Sequence, residues 1–192
     1  MANTCCWYET RIPEPLMKNI IEDLDSVNEN IFIKSKVNPN KPNLQNNIRK
    51  SQHCWIPSSY WIGGFLWHYI INANKDNFLY DISHIEQDMI QYTQYNKGDY
   101  YSWHTDMDIC DINEPNQLVR KLSFTLQLTN DDEYTGGDLE FADFDDSTQR
   151  FTVPKSRGTV IVFDSRTPHR VSPIKSGVRK SLVGWVVGPR WK

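Results

Sequence analysis

Residues 98–109 read GDYYSWHTDMDI, and within them His104 and Asp106 are separated only by Thr105. An imidazole and a carboxylate are both metal-ligand types, and a spacing of two suits an extended chain. On a helix, positions i and i+2 point to nearly opposite faces. On a strand they project from one face, about 7 Å apart along the chain. Both side chains can then lean onto one ion at the usual distance of about 2.1 Å. A bare H-x-D is common by chance, and its plainer reading is a strand pair in which Asp106 accepts from a backbone amide. The weight therefore falls on a third ligand.

Three of the remaining histidines offer little. His68 lies in an apolar helical run, and His53 and His84 have no obvious partner. His169 is different. It follows RGTVIVFDSRTP, a turn, an apolar strand and a short loop, and it begins the next strand, HRVSPI. In a jelly roll the start of a late strand can lie opposite an early strand, because the two sheets face each other. His104, Asp106 and His169 would then form a two-histidine, one-carboxylate face, which binds Fe(II) on one side and leaves three adjacent positions open. Ten residues later comes Arg179, in GVRKSLVGWVVGP. On a strand it shares a face with Ser181, Val183 and Trp185, which puts a guanidinium at the inner surface of a sandwich. Unpartnered there, it is costly. A dicarboxylate ligand resolves the cost through a bidentate pair, and a protein Asp or Glu is the alternative partner.

The elements that must position these residues follow from pattern. PEPLMKNIIEDLDSV places Leu16, Ile20, Ile21 and Leu24 at helical spacing behind Pro13 and Pro15. SSYWIGGFLWHYIINANKD reads as a second helix started by Ser58 or Ser59 and weakened by Gly63 and Gly64. Between them, the polar, Asn-rich residues 38–52 read as a surface loop, a candidate lid. From residue 78 short β-rich runs follow one another, at 78–82, 86–95, 100–106, 121–129, 138–141, 151–153, 158–163, 169–174 and 180–187, separated by NKGD, TGGD, PKSRG and IKSG. Such a series without intervening helices argues for a double-sheet jelly roll or a related barrel. The expectation is a mainly β single domain over 1–192, with a helical and irregular support layer over 1–77 and the jelly-roll core over 78–192.

The net charge of −3 gives no global pull toward nucleic acid or anionic lipid. Cys5, Cys6, Cys54 and Cys110 show no CxxC spacing and read as free thiols of a reducing cytosol. The opening MANTCCWYETRIPEP lacks a basic region followed by an apolar run, and no apolar stretch reaches the about 20 residues that a membrane span needs. The expected location is cytoplasmic, with no membrane partner.

In this order the residues resemble the 2-oxoglutarate- and Fe(II)-dependent dioxygenases, in particular the prolyl 4-hydroxylase-like branch and its PKHD-type hydroxylases. The likeness runs from IRKSQHCWIP to the C-terminus. It takes in RKLSFTLQLTNDDEYTGGDLEF and TVIVFDSRTPHRVSPIKSGVRKSLVGW. It implies a double-stranded β-helix core, with His104, Asp106 and His169 as iron ligands and Arg179 on the C5 carboxylate of 2-oxoglutarate. It also implies a co-substrate role for Tyr95 and a pocket-lining role for Trp185, whereas Gln127 stands where some relatives have a tyrosine. Thr125 shares a face with Gln127 and is its substitute, and Ser181 shares the face of Arg179. Tyr101 and Trp103 are candidates to face substrate. The implied reaction consumes Fe(II)-bound 2-oxoglutarate and O2, with ascorbate as an optional reductant, releases succinate and CO2, and hydroxylates an unactivated C–H. No serine or cysteine triad is needed.

The implied target is a peptide or protein residue, most often proline, with free amino acids and small molecules as alternatives. An AlkB-like nucleic-acid demethylase is a rival, but such enzymes carry a second arginine where this chain has Trp185. A cupin-like isomerase that uses no 2-oxoglutarate leaves Arg179 unexplained. A non-catalytic jelly-roll binding module is the reading from a different class.

Overall fold

The computed structural model describes residues 7–27, 32–35, 48–107, 117–143 and 148–191. In chain order the strands are β1 (Trp7–Arg11), β2 (Ile33–Lys34), β3 (Arg49–Lys50), β4 (Gln52–Pro57), β5 (His84–Ile85), β6 (Met89–Tyr95), β7 (Tyr100–His104) and β8 (Val119–Gln127). They continue as β9 (Tyr134–Gly136), β10 (Leu139–Ala142), β11 (Arg150–Thr152), β12 (Thr159–Asp164), β13 (His169–Val171), β14 (Ile174–Gly177) and β15 (Arg179–Gly188). Helix α1 (Glu14–Val27) follows β1, and α2 (Trp61–Ala73) follows β4 and runs into a π turn at Asn74–Phe78. Among the described residues no helix is long and apolar enough to cross a membrane.

The strands form an eight-stranded sheet in the order β1-β12-β8-β15-β6-β4-β2, with β5 added on β15, and a five-stranded sheet in the order β11-β10-β13-β7-β3. A small ribbon, β14-β9, completes the β structure. Two sheets with helices on one outer face are the jelly-roll architecture that the strand pattern argued for.

Alternation along the strands of the large sheet separates its two faces. Leu122, Phe124 and Leu126 on β8, Val160 and Val162 on β12, and Leu182 and Val186 on β15 join Met17, Ile20 and Leu24 of α1 and Ile62, Leu66 and Ile70 of α2 in one core. The opposite face of the same strands carries Ser123, Thr125, Gln127, Arg179, Ser181, Val183 and Trp185 and looks toward the smaller sheet. The sandwich thus has an apolar helical side and a polar interior between its sheets.

Several expectations are corrected here. Helix α1 buries Met17, Ile20 and Leu24, while Leu16 is exposed, because Pro13 sets the start so that the buried stripe begins one residue later. Tyr60, not Ser58 or Ser59, precedes the first turn of α2, and it makes no side-chain cap. The run 78–82 is not a strand, because the π turn delivers Leu79 in the left-handed region and the sheet resumes only at β5. Conversely, residues 1–77 contribute β1 and β4 to the large sheet and β3 to the small one, so this part of the chain builds both sheets as well as the helical layer. Of the segment 38–52, residues 38–47 lie outside the described residues, while 49–50 form β3 and 52 begins β4, with Arg49 and Ser51 buried.

Gly184 lies between Leu182 and Val186 on β15, directly opposite Phe124 of β8. A Cβ there would come within 2.4 Å of the Phe124 ring. Gly184→Ala should therefore destabilise the protein by about 1–3 kcal/mol through overpacking. Adding Phe124→Leu should recover part of that loss. Urea midpoints of the two single variants and the double variant measure both effects.

Candidate metal centre and its cavity

Strand β13 pairs with β7 so that His169 stands directly opposite His104. The two histidines are thus neighbours within one sheet, rather than facing one another across the sandwich. Their ring centroids lie 4.1 Å apart. The same pairing contains a bulge: Val171 opposes Tyr101, so two steps on β13 match three on β7. The extra residue in β7 brings Tyr101 onto the same side as His104, and the rings stack at 3.5 Å.

Asp106 does not continue the strand. β7 ends at His104, and the chain bends so that the Asp106 and Met107 amides both donate to the Ser165 carbonyl, at 2.9 and 3.0 Å. The carboxylate reaches the histidines through this turn, with Oδ1 at 3.6 Å from His104 Nε2 and Oδ2 at 3.4 Å from His169 Nε2. All three candidate ligand atoms lie within 4.8 Å of one another. The Ser123 hydroxyl donates to Asp106 Oδ2 at 2.8 Å and meets Ser165 Oγ at 3.0 Å. The Asp106 carbonyl accepts from Arg120, whose Nε lies 2.9 Å from a Glu86 carboxylate oxygen.

Each imidazole is oriented in the same way. His104 Nδ1 lies 2.7 Å from the Ser102 carbonyl, and His169 Nδ1 lies 2.9 Å from the Thr167 carbonyl. A carbonyl only accepts, so both Nδ1 atoms carry a proton and both Nε2 atoms are turned toward Asp106. Burial, with His169 close by, pushes the His104 pKa down to about 3 and keeps this ring neutral. Burial alone would raise the Asp106 carboxyl, but the two imidazoles and the Ser123 hydroxyl outweigh it and hold the group below the usual carboxylate range. Two imidazoles and one ionised carboxylate, each with its own outer hydrogen-bond partner, are the donor set that a divalent transition metal takes.

These groups open into a cavity between the sheets with about 490 Å³ of empty space, its solvent mouth included. Phe163, Leu139, Val171 and Val183 form apolar walls, and Arg179, Thr125, Tyr95, Tyr101, Trp185 and Arg49 also line it. Arg179 is 3% exposed, and its Nη1 donates to Ser181 Oγ at 3.3 Å. Among the described residues its Nε has no hydrogen-bond partner, nor has Thr125 Oγ1. Two buried, unsatisfied donors in one cavity are the arrangement an anion satisfies. Tyr95 stands opposite Arg179 in the β6–β15 ladder, with its ring centroid 5.5 Å from the guanidinium carbon.

The cavity sorts the remaining candidates. Gln127 does not line it; its Nε2 donates instead to the Tyr134 hydroxyl at 3.0 Å. Trp103 lies outside, between Arg150 and Arg170 at 5.3 and 5.0 Å, because it neighbours the inward-facing His104 on the strand and so points to the other face. Trp185 lines the cavity beneath the Arg120 guanidinium, 4.1 Å above its ring. Arg49 was not foreseen: it sat in a polar run that gave no strand signal.

The profile of the 2OG-Fe(II) oxygenase superfamily matches residues 90–187, which contain His104, Asp106, His169 and Arg179. With this fold and this ligand cluster in place, the chain belongs to the 2OG-Fe(II) oxygenase superfamily, a group of oxidoreductases whose membership implies Fe(II), 2-oxoglutarate and O2. Several curated proteins that it resembles are named PKHD-type hydroxylases. One from Synechococcus sp. (strain CC9311) is 40% identical over 65 residues, 34% of this chain and 28% of that protein. Another, from Synechococcus elongatus, is 31% identical over 116 residues, 59% of this chain and 50% of that protein. The chain thus spans half or less of the length of these two relatives. Among solved structures, a Pseudomonas putida prolyl-4-hydroxylase superposes with a TM-score of 0.69 at 20% identity, covering 98% of this chain and 95% of that one. A Trichoplax adhaerens prolyl hydroxylase in complex with a hypoxia inducible factor peptide fragment gives 0.73 at 16% identity, covering 97% and 84%. At these identities the structures speak for the fold.

Ser123→Ala should lower Fe(II) affinity about 10- to 100-fold with the fold intact, because it frees the carboxylate that the hydroxyl orients. His104→Ala, Asp106→Ala and His169→Ala should each remove tight binding altogether. Anaerobic calorimetric titration with Fe(II), alongside far-UV circular dichroism, measures this. Undiminished iron binding in any of the three ligand variants would strike that residue from the centre.

Proposed function

We propose that this protein is an Fe(II)- and 2-oxoglutarate-dependent dioxygenase that hydroxylates an unactivated C–H of a peptidyl residue, proline foremost. The observation that carries the reading is Arg179, a buried guanidinium with no carboxylate partner among the described residues, in the same cavity as the His104, Asp106 and His169 cluster. In this reading those three side chains hold the iron, and Arg179 with Thr125 receives the distal carboxylate of 2-oxoglutarate. Iron, 2-oxoglutarate and O2 together supply the oxidising chemistry, with succinate and CO2 as by-products and ascorbate as an accessory reductant.

The chain's own contribution is positional. Ser181 holds one arm of the Arg179 fork. Tyr95 lies beside the guanidinium, and Trp185 and Tyr101 wall the cavity near the metal cluster. Phe163, Leu139, Val171 and Val183 exclude water, which strengthens every charge interaction within. The two Nδ1–carbonyl bonds turn both Nε2 atoms toward the metal position.

A peptide target is supported by the prolyl hydroxylases among the structural neighbours, one of them solved with a peptide fragment. It is also supported by the net charge of −3, which offers no general attraction for phosphate backbones. A free amino acid is the second substrate to examine. A cytoplasmic setting belongs to the same reading.

Succinate should form from 2-oxoglutarate in the presence of Fe(II), ascorbate and O2; its absence from an iron-loaded protein would return the chain to the class of binding modules. Proline peptides and methylated oligonucleotides should be screened together, with a one-oxygen mass gain expected on peptide. Turnover of the oligonucleotides alone would overturn the peptide target. Arg179→Ala should weaken 2-oxoglutarate about 30- to several thousand-fold while sparing iron affinity. Arg179→Lys should recover part of the loss, because a point charge replaces the fork. An unchanged Kd for 2-oxoglutarate in Arg179→Ala would sink the co-substrate assignment.

A further inference from the structure

The cavity contains a second buried guanidinium, and it enters from the other sheet. Arg49 lies on β3 opposite Tyr101 of β7, and its guanidinium carbon sits 4.8 Å from the Tyr101 ring centroid. Its Nε donates to Ser51 Oγ at 2.8 Å, and its Nη2 donates to Gln91 Oε1 at 2.9 Å. Both partners are neutral. The residue is 9% exposed, and none of the ion pairs among the described residues involves it. Neutral hydrogen bonds fix its direction but leave its charge uncompensated, which is costly for a group this buried.

Arg49 is also the residue shared between this cavity and a polar groove beside it. The groove encloses about 1010 Å³ of empty space, open solvent included, and Lys34, Lys50, Lys97, Ser35 and Gln52 are among its other walls. Its one carboxylate among the described residues, Asp99, is already engaged: it lies 3.3 Å from Lys50 Nζ and accepts the Asn96 amide at 2.9 Å. Four cationic side chains against one occupied carboxylate is a local excess opposite in sign to the net charge of −3. Arg179 and Thr125, with their unpartnered atoms, account for the co-substrate. They leave this second cationic site without a ligand.

We infer that the groove is the subsite for a carboxylate carried by the substrate itself, with Arg49 as its innermost contact next to the carbon that is oxidised. This rests on the proposed hydroxylase reading and narrows it to acidic substrates. The cations spread from buried Arg49 to exposed Lys34 and Lys97, which suits an extended peptide with acidic residues near its target. The α-carboxylate of a free amino acid carries the same chemistry at the Arg49 end alone.

The test uses the full chain loaded with Fe(II) and 2-oxoglutarate without O2, with Kd read by tryptophan fluorescence. The probes are Ac-Glu-Ala-Pro-Ala-Glu-NH2, its Gln-for-Glu counterpart, L-proline and L-prolinamide. The acidic peptide should bind about tenfold or more tightly than the neutral one, the scale of one or more charged hydrogen bonds. Added salt and the double variant Lys34→Glu/Lys97→Glu should each shrink that gap, because exposed charges are screened and reversed. The charge-matched control Lys18→Glu/Lys75→Glu, on α1 and the π turn, should retain the gap. Arg49→Met should weaken the acidic peptide without weakening the neutral one. Preference for L-proline over L-prolinamide, lost in Arg49→Met and without any peptide binding, would also support the carboxylate subsite and assign it to a free amino acid. Equal Kd values within each pair, no binding of any probe, or a gap untouched by both the groove and Arg49 variants would overturn the subsite. Succinate formed by the same preparation in air separates the two failures: if it forms, the hydroxylase reading stands without the subsite, and if it does not, that reading falls as well.

Discussion

The centre depends on the antiparallel pairing of β13 with β7. That ladder sets His169 opposite His104, and each ring is turned by a bond from its Nδ1 to the carbonyl two residues earlier in its own chain. The same local device, used twice, turns both Nε2 atoms toward one point. Ring orientation is therefore decided by the backbone. Asp106 is held independently, through the double amide contact with Ser165 and the Ser123 hydroxyl. The ligand atoms thus converge from one strand pair and one turn. The bulge in β7 belongs to the same constraint, because it admits Tyr101 to the cavity.

Strand β15 carries the second requirement. Its alternate residues serve two solvents: Leu182 and Val186 enter the helical core, while Arg179, Val183 and Trp185 line the cavity. The neighbouring strands keep the same register, so Thr125 stands beside Val183 and Tyr95 beside Arg179. A slip of one residue would exchange the two faces and put the guanidinium in the apolar core. Gly184 and Phe124 help to fix this register, since the ring occupies the space that a side chain at Gly184 would need.

The ligand types were legible because chemistry restricts them: His169 at a strand start and Arg179 on an inward face announce themselves by residue type and alternation. Their geometry was less legible. Same-face spacing suggested that His104 and Asp106 share a strand, whereas the chain bends after His104 and the Ser165 contact supplies the approach. The membership of β7 and β13 in one sheet depends on long-range pairing that no local pattern encodes. Gln127 had the right address on β8, but Tyr134, brought in from the β9 ribbon, captures its amide. Arg49 was hidden because β3 is only two residues long and follows a polar run. Its burial comes from pairing with β7 rather than from its own neighbours.

The charge of the cavity links its two ends. Among its lining residues two guanidiniums, Arg49 and Arg179, face a single carboxylate, Asp106. The nearby Arg120 does not add to the excess, because Glu86 neutralises it. One positive charge is therefore left over between apolar walls, where it is poorly screened. A metal dication and a dicarboxylate dianion bring opposite charges of equal size, so loading the site would leave that excess in place. A single carboxylate on the substrate cancels it. A neutral substrate would have to enter a cavity that retains an uncompensated guanidinium, and in that setting a charge preference follows from burial as much as from contact.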